Sequence, residues 1–190
     1  MRPAAPGAVV IGSSAGALEA LSVILPGLPT GFPFPVFIVV HVPAGKQSVL
    51  ADIFSAKCAL RVIEAEDKEP VEAGSVYFAP PDYHMLIEDE HTIALSNEEE
   101  VLFSRPAIDV SFESAADIWE DRLIGIVLTG ANHDGAEGLR AIVRAGGTAI
   151  VQDPDGAYAR AMPEAAIAAC PTAQVLSLPD IATYLSSFQS

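Results

Sequence analysis

The chain has 190 residues, enough for one domain with a sizeable core, and its 51% apolar and 18% charged content is that of a globular protein. A net charge of −15 argues against nucleic acid, whose binding runs on counterion release by Lys and Arg, and against an anionic membrane surface. Cys58 and Cys170 lie far apart, without CxxC or His-rich spacing, so they read as buried thiols of a reducing compartment and no metal site is expected.

Ala8–Ile11 is a short apolar run, followed by a Gly/Ser turn and by Ala17–Leu25 with helical spacing. Pro35–Val40 is again a run of strand length, and Ser48–Lys57 again reads as helix. Continuous apolar runs of this kind suit strands buried on both faces of a parallel sheet. The middle differs: Val76–Ala79, Met85–Glu88 and Thr92–Leu95 predict a hairpin or meander set into the α/β pattern. A helix is expected from Ser104 or Arg105 to about Trp119, with Pro106 in its first turn. The rhythm then resumes with strand Leu123–Leu128, helix Asp134–Ala145, strand Thr148–Val151, helix Pro163–Ala169, strand Gln174–Leu178 and helix Pro179–Phe188. The pattern predicts one doubly wound, mostly parallel α/β sheet with an inserted antiparallel hairpin, a Rossmann-like three-layer domain over residues 1–190. No apolar run approaches the roughly 20 residues of a membrane span. Residues 1–7 hold one Arg and no long apolar stretch, so no secretory leader is expected and the cytoplasm is the default location.

Three loops carry chemistry. Gly12-Ser13-Ser14-Ala15-Gly16 follows the first strand and opens the first helix, fitting G-x-S-x-G with Ser14 at its centre. A sharp turn there exposes the hydroxyl and aims backbone N–H groups at one point, as a developing oxyanion requires. A loop that caps a helix or cradles a phosphate has the same composition, although neither G-x-G-x-x-G nor G-K-[ST] is present. His41 directly follows Val36–Val40, on the edge where α/β ligands bind; a structural histidine is the plainer reading of it in isolation. Asp134 ends Leu128-Thr-Gly-Ala-Asn-His-Asp134 and precedes a helix, which it could simply cap. His133 is a rival base. Together, Ser14, His41 and Asp134 each stand just past the C-terminal end of a different predicted strand, so a nucleophile, a base and an orienting acid can meet on one sheet edge. The order Ser–His–Asp along the chain differs from that of the α/β-hydrolases, chymotrypsin and subtilisin.

Seven blocks resemble the catalytic domain of the chemotaxis protein-glutamate methylesterase family, CheB, in order along nearly the whole chain. They are Val10–Leu21, His41–Gly45, Glu64–Asp67, Tyr77–Met85, Arg105–Asp109, Leu128–Gly130 with Asp134–Ala136, and Ala161–Glu164. The resemblance implies Ser14 as nucleophile, His41 as base and Asp134 as orienting acid. It places the oxyanion hole at the backbone N–H groups of Ala15 and Ala131 and sets Arg105 beside the cleft for substrate. It also implies hydrolysis of glutamate methyl esters through an acyl-enzyme, with release of methanol, and the same chemistry suits glutamine deamidation. No cofactor and no metal are implied. The implied partners are methylated cytoplasmic helices of chemoreceptors or a similar signalling protein.

The chain departs from the family pattern at Ala15 and Gly16-Ala17, where Thr and a Gly pair are usual, and at Ala131-Asn132-His133, where Met-Gly-Asn is usual. With the first strand beginning by Ala8, no N-terminal receiver domain is expected in this chain. Two other classes are weighed. A catalytically silent adaptor for receptor-like helices is disfavoured by the complete set of three residues, and a nucleotide-binding regulator lacks the ribose-binding acid expected where His41 stands. The −15 charge is at odds with a Glu-rich receptor helix unless local cations such as Arg105 and Lys46 offset it, or the partner is a different protein.

Overall fold

The computed structural model describes residues 5–43 and 45–189. The expectation for the N-terminal segment at residues 1–4, and Ala44 of the His41–Gly45 block, fall outside the described residues. Ten strands and six α-helices are present among those described: β1 (Ala8–Ser13), α1 (Ala17–Ile24), β2 (Val36–Val40), α2 (Leu50–Ser55), β3 (Arg61–Glu64), β4 (Glu69–Pro70), β5 (Ser75–Phe78), β6 (His84–Asp89), β7 (Thr92–Ser96), α3 (Ile108–Trp119), β8 (Leu123–Val127), α4 (Ala136–Arg144), β9 (Thr148–Gln152), α5 (Ala161–Ala169), β10 (Gln174–Leu176) and α6 (Leu178–Ser186).

The seven-stranded sheet runs β10-β9-β8-β1-β2-β5-β3, with every pairing parallel. β1, β2 and β8 are buried along their whole length, which is why they read as unbroken apolar runs rather than alternating ones. Alternation within β1 still sorts the layers. Val9 and Ile11 face α1, α2 and α6 through Leu21, Phe54 and Ile181, whereas Ala8 and Val10 face α3, α4 and α5 through Phe112, Leu139 and Met162. The result is the expected three-layer, doubly wound domain.

The middle of the chain corrects the sequence reading in one respect. β5 belongs to the parallel sheet, between β2 and β3, and not to the hairpin. The insertion is a separate antiparallel sheet ordered β4-β7-β6, whose Met85, Ile87 and Ile93 pack into the α3–α4 layer. A second correction concerns α3. It begins at Ile108, because Ala107 before it is extended at φ −104°, ψ 138°, so Ser104, Arg105 and Pro106 form the approach to the helix rather than its first turn.

Topology places the site. From β1 the chain moves outward through β2, then returns across β1 to β8 on the other side. The switch point of the sheet therefore lies between β1 and β8, with β2 next to β1. Ligands of open α/β sheets bind outside the carboxyl ends of the strands at such a point.

Candidate active site

β1 ends at Ser13, and Ser13 and the Ser14 that follows it have different fates. Ser13 is fully buried and its Oγ donates to Thr129 O at 2.7 Å. Ser14 N–H donates to the same carbonyl at 2.9 Å, while the Ser14 side chain faces the cleft. Thr129 returns a bond, Oγ1 to Ala15 O at 2.8 Å, so the loops after β1 and β8 are stitched together. Gly16 follows at φ +86°, in the left-handed region, where an added Cβ would meet Tyr158 Cβ at 2.7 Å. Glycine is thus required twice over, and it is what lets the chain turn from strand into α1 immediately after Ser14. Among the described residues, neither Ala15 N–H nor Ala131 N–H has a protein acceptor.

His41 leaves β2 with its N–H on Ser13 O at 3.3 Å. Its ring Nε2 lies 2.7 Å from Asp134 Oδ2, with the His41 side chain 13% exposed and that of Asp134 fully buried. The Asp134 carboxylate accepts two further bonds, from Ile108 N to Oδ2 at 2.6 Å and from Asp109 N to Oδ1 at 2.9 Å. A buried carboxylate with three N–H donors is held as an acceptor only. The proton between it and His41 is therefore on Nε2, and the ring presents Nδ1 as its single acceptor. In this structure Nδ1 takes the amide of Asn132, with Nδ2 at 3.0 Å, and no hydrogen bond joins it to Ser14 Oγ.

Asp134 does not cap the helix that follows it. It caps α3, whose first free N–H groups are those of Ile108 and Asp109. Asp109 returns the favour: its Oδ1 accepts from Gly135 N at 2.9 Å and Gly138 N at 2.8 Å, at the start of α4. Each acid thus closes the other's helix. Burial, with the Asp134 charge adding to it, pushes the Asp109 carboxyl up to about 6, against the lowering pull of those two N–H groups. In the sequence Asp109 stands only as the end of the Arg105–Asp109 block. A helix-start acid four residues after Arg105 was the available signal.

The remaining candidates separate. His133 is exposed and stands apart from the His41–Asp134 pair. His84 is structural, with Nε2 on Glu99 O at 2.8 Å and Nδ1 accepting from Ala107 N at 3.2 Å. Arg105 lines the cleft, but its Nη1 is committed to the carbonyls of Asn97 and Glu98 at 3.2 and 3.1 Å, which holds the loop that carries Phe103. Phe103 is 96% exposed beside Leu102, at 52%. The cleft holding Ser14, His41, Asn132, Phe103 and Arg105 has a volume of about 360 Å³.

The sequence profile described as CheB methylesterase matches residues 9–185. The chain belongs to the CheB methylesterase family. Its fold is that of the crystal structure of the Thermotoga maritima CheB methylesterase catalytic domain, with a TM-score of 0.91 at 34% identity, over 97% of this chain and 99% of that one. A protein of Leptospira interrogans is 50% identical over 175 residues, which cover 92% of this chain and 91% of the relative. The protein-glutamate methylesterase/protein-glutamine glutaminase of Symbiobacterium thermophilum is 40% identical over 174 residues, 92% of this chain and 48% of that protein. Among the described residues, no helix is long and apolar enough to cross a membrane.

Proposed function

We propose that this chain is one CheB-type catalytic domain that hydrolyses glutamate methyl esters on a signalling protein, with Ser14, His41 and Asp134 as its catalytic residues. The observation that carries the reading is the His41 Nε2–Asp134 Oδ2 pair at 2.7 Å, set in the same cleft as the Ser14 side chain at the switch point of the sheet. Family membership supports the class of substrate.

In this reading Ser14 Oγ attacks the ester carbonyl and its proton passes to His41 Nδ1. The negative charge that develops on the carbonyl oxygen is met by the N–H groups of Ala15 and Ala131, which have no other protein acceptor. The imidazolium formed is stabilised by the buried Asp134 carboxylate. His41 then returns the proton to the departing methoxide, and methanol leaves. Water, deprotonated by the same nitrogen, opens the γ-glutamyl ester on Ser14 and frees a glutamate carboxylate. A glutamine side chain follows the same path with ammonia as the leaving group, so deamidation is a second outcome of one site. No step calls for a cofactor.

The proposed partner is a methylated cytoplasmic helix of a chemoreceptor or a similar protein, which places the reaction in the cytoplasm. Phe103 and Leu102 offer apolar contact at the rim, and Arg105 is proposed to hold an acidic group with the N–H donors its loop bonds leave over. The test of the mechanism is a cycle of Ser14→Ala, His41→Ala and the double variant on a small activated ester. Residues that act as a unit are far from additive, so the double variant should be as slow as the slower single one. Additive losses would mean that Ser14 and His41 do not share a step.

A further inference from the structure

With Nε2 committed to Asp134, the His41 ring has one lone pair left, on Nδ1, directed outward in the ring plane. That lone pair is taken by Asn132 Nδ2 at 3.0 Å. The orientation of the Asn132 amide is set independently, because its Oδ1 accepts from Asp134 N at 3.0 Å; turned over, the amide would set its NH2 group against the Asp134 N–H and its oxygen against the Nδ1 lone pair. Asn132 therefore ties the base to the backbone of its own orienting acid. Ser14 Oγ, in the same cleft, makes no hydrogen bond to protein among the described residues. Asn132 and Ser14 each bring a donor to the cleft that holds this single acceptor, and in the resting site Asn132 takes it.

We propose that Asn132 is a positioning residue that latches the base, holding His41 Nδ1 in the resting site and releasing it before Ser14 can pass its proton on. This rests on the reading of Ser14 and His41 as nucleophile and base. The latch is a bond exchange: the Asn132 N–H···Nδ1 bond breaks and the Ser14 O–H···Nδ1 bond forms, with the ring still on Asp134. The Oδ1 bond to Asp134 N remains throughout, so the amide pivots without the loop after β8 moving.

The test uses Asn132→Ser, whose hydroxyl still reaches Asp134 N two residues on but is too short to reach the ring, and Asn132→Ala as a second variant. Ser14 reactivity is read as the rate of covalent labelling by a fluorophosphonate, and the state of Nδ1 by the ¹⁵N resonance of His41. Freed of the latch, both variants should be labelled roughly threefold to tenfold faster than the parent, the worth of one neutral hydrogen bond. Their Nδ1 resonance should move away from its position in the parent as the Ser14 hydroxyl replaces the Asn132 amide as its donor. Labelling at the parent rate or slower, with both variants folded, overturns the latch. If the parent is labelled as fast as Ser14→Ala, the triad reading is what fails, and the nitrogen resonance then decides the latch alone. An identical Nδ1 resonance in parent and Asn132→Ser overturns it.

Discussion

Replacing Asp134 by Asn changes one atom and disturbs three bonds. The carboxylate uses both oxygens, Oδ2 for His41 Nε2 and Ile108 N, and Oδ1 for Asp109 N. An amide has a single oxygen, so either orientation turns an NH2 group on a buried N–H. Facing Asp109, it strands one donor; facing His41, it strands Ile108 N and draws the imidazole into the opposite tautomer, with its proton on Nδ1. A buried unpaired donor costs about 1–3 kcal/mol, and α3 also loses the negative charge at its N-terminus, worth roughly 0.3–1 kcal/mol. Asp109 gains slightly as its like-charged neighbour disappears. The balance is a loss of about 2–3 kcal/mol, a fall in melting temperature of roughly 5–10 °C for a domain of this size. Hydrolysis of a small activated ester should fall about 10⁴-fold, the expected effect of holding the base in the wrong tautomer. Calorimetry and steady-state kinetics on the purified variant measure both. A variant with unchanged melting temperature and activity within tenfold of the parent would refute both the capping role and the orienting role.

Asp109 sets a pH dependence of opposite sign to the usual acid. Its carboxyl is raised from 3.8 to about 6 by burial, so its ionised form destabilises the fold fully above pH 6, and stability should rise as pH falls from about 6 toward 4. Asp109→Asn keeps an oxygen for Gly135 and Gly138 N–H and should flatten that part of a melting-temperature profile; an unchanged slope would assign it elsewhere. Arg105→Ala should raise KM on a protein substrate and leave a small ester nearly untouched, whereas equal losses on both at unchanged stability would put Arg105 in the chemistry. At net charge −15, an acidic partner is repelled at long range. Raising ionic strength from about 0.01 to 0.15 M shortens the screening length from about 30 to 8 Å and should raise kcat/KM on that partner, but not on a neutral ester.

The parts of the fold legible in the sequence are those whose environment is uniform. β1, β2 and β8 are buried on both faces, so their apolar runs are continuous and their C-terminal ends mark Ser14, His41 and the loop of Asp134. β3 is silent in the sequence because it is a short edge strand with Arg61 and Glu64 at its exposed ends. β5 reads with the hairpin because its neighbours in sequence are not its neighbours in the sheet. The start of α3 reads too early for a related reason. The groups that satisfy Ile108 and Asp109 come from Asp134, about 25 residues on, and Pro106 is a local signal that this distant cap overrides. The tie between Asn132 and His41 spans 91 residues and has no local signature.

The central claim is that Ser14 carries an acyl group derived from a glutamate methyl ester. The most direct measurement is methanol released from a methylated chemoreceptor cytoplasmic fragment by the parent and by Ser14→Ala, with the substrate peptide followed by mass spectrometry. The account predicts methanol and a matching loss of 14 Da per site with the parent, and a fall of several orders of magnitude with Ser14→Ala. Equal methanol from both proteins would contradict it.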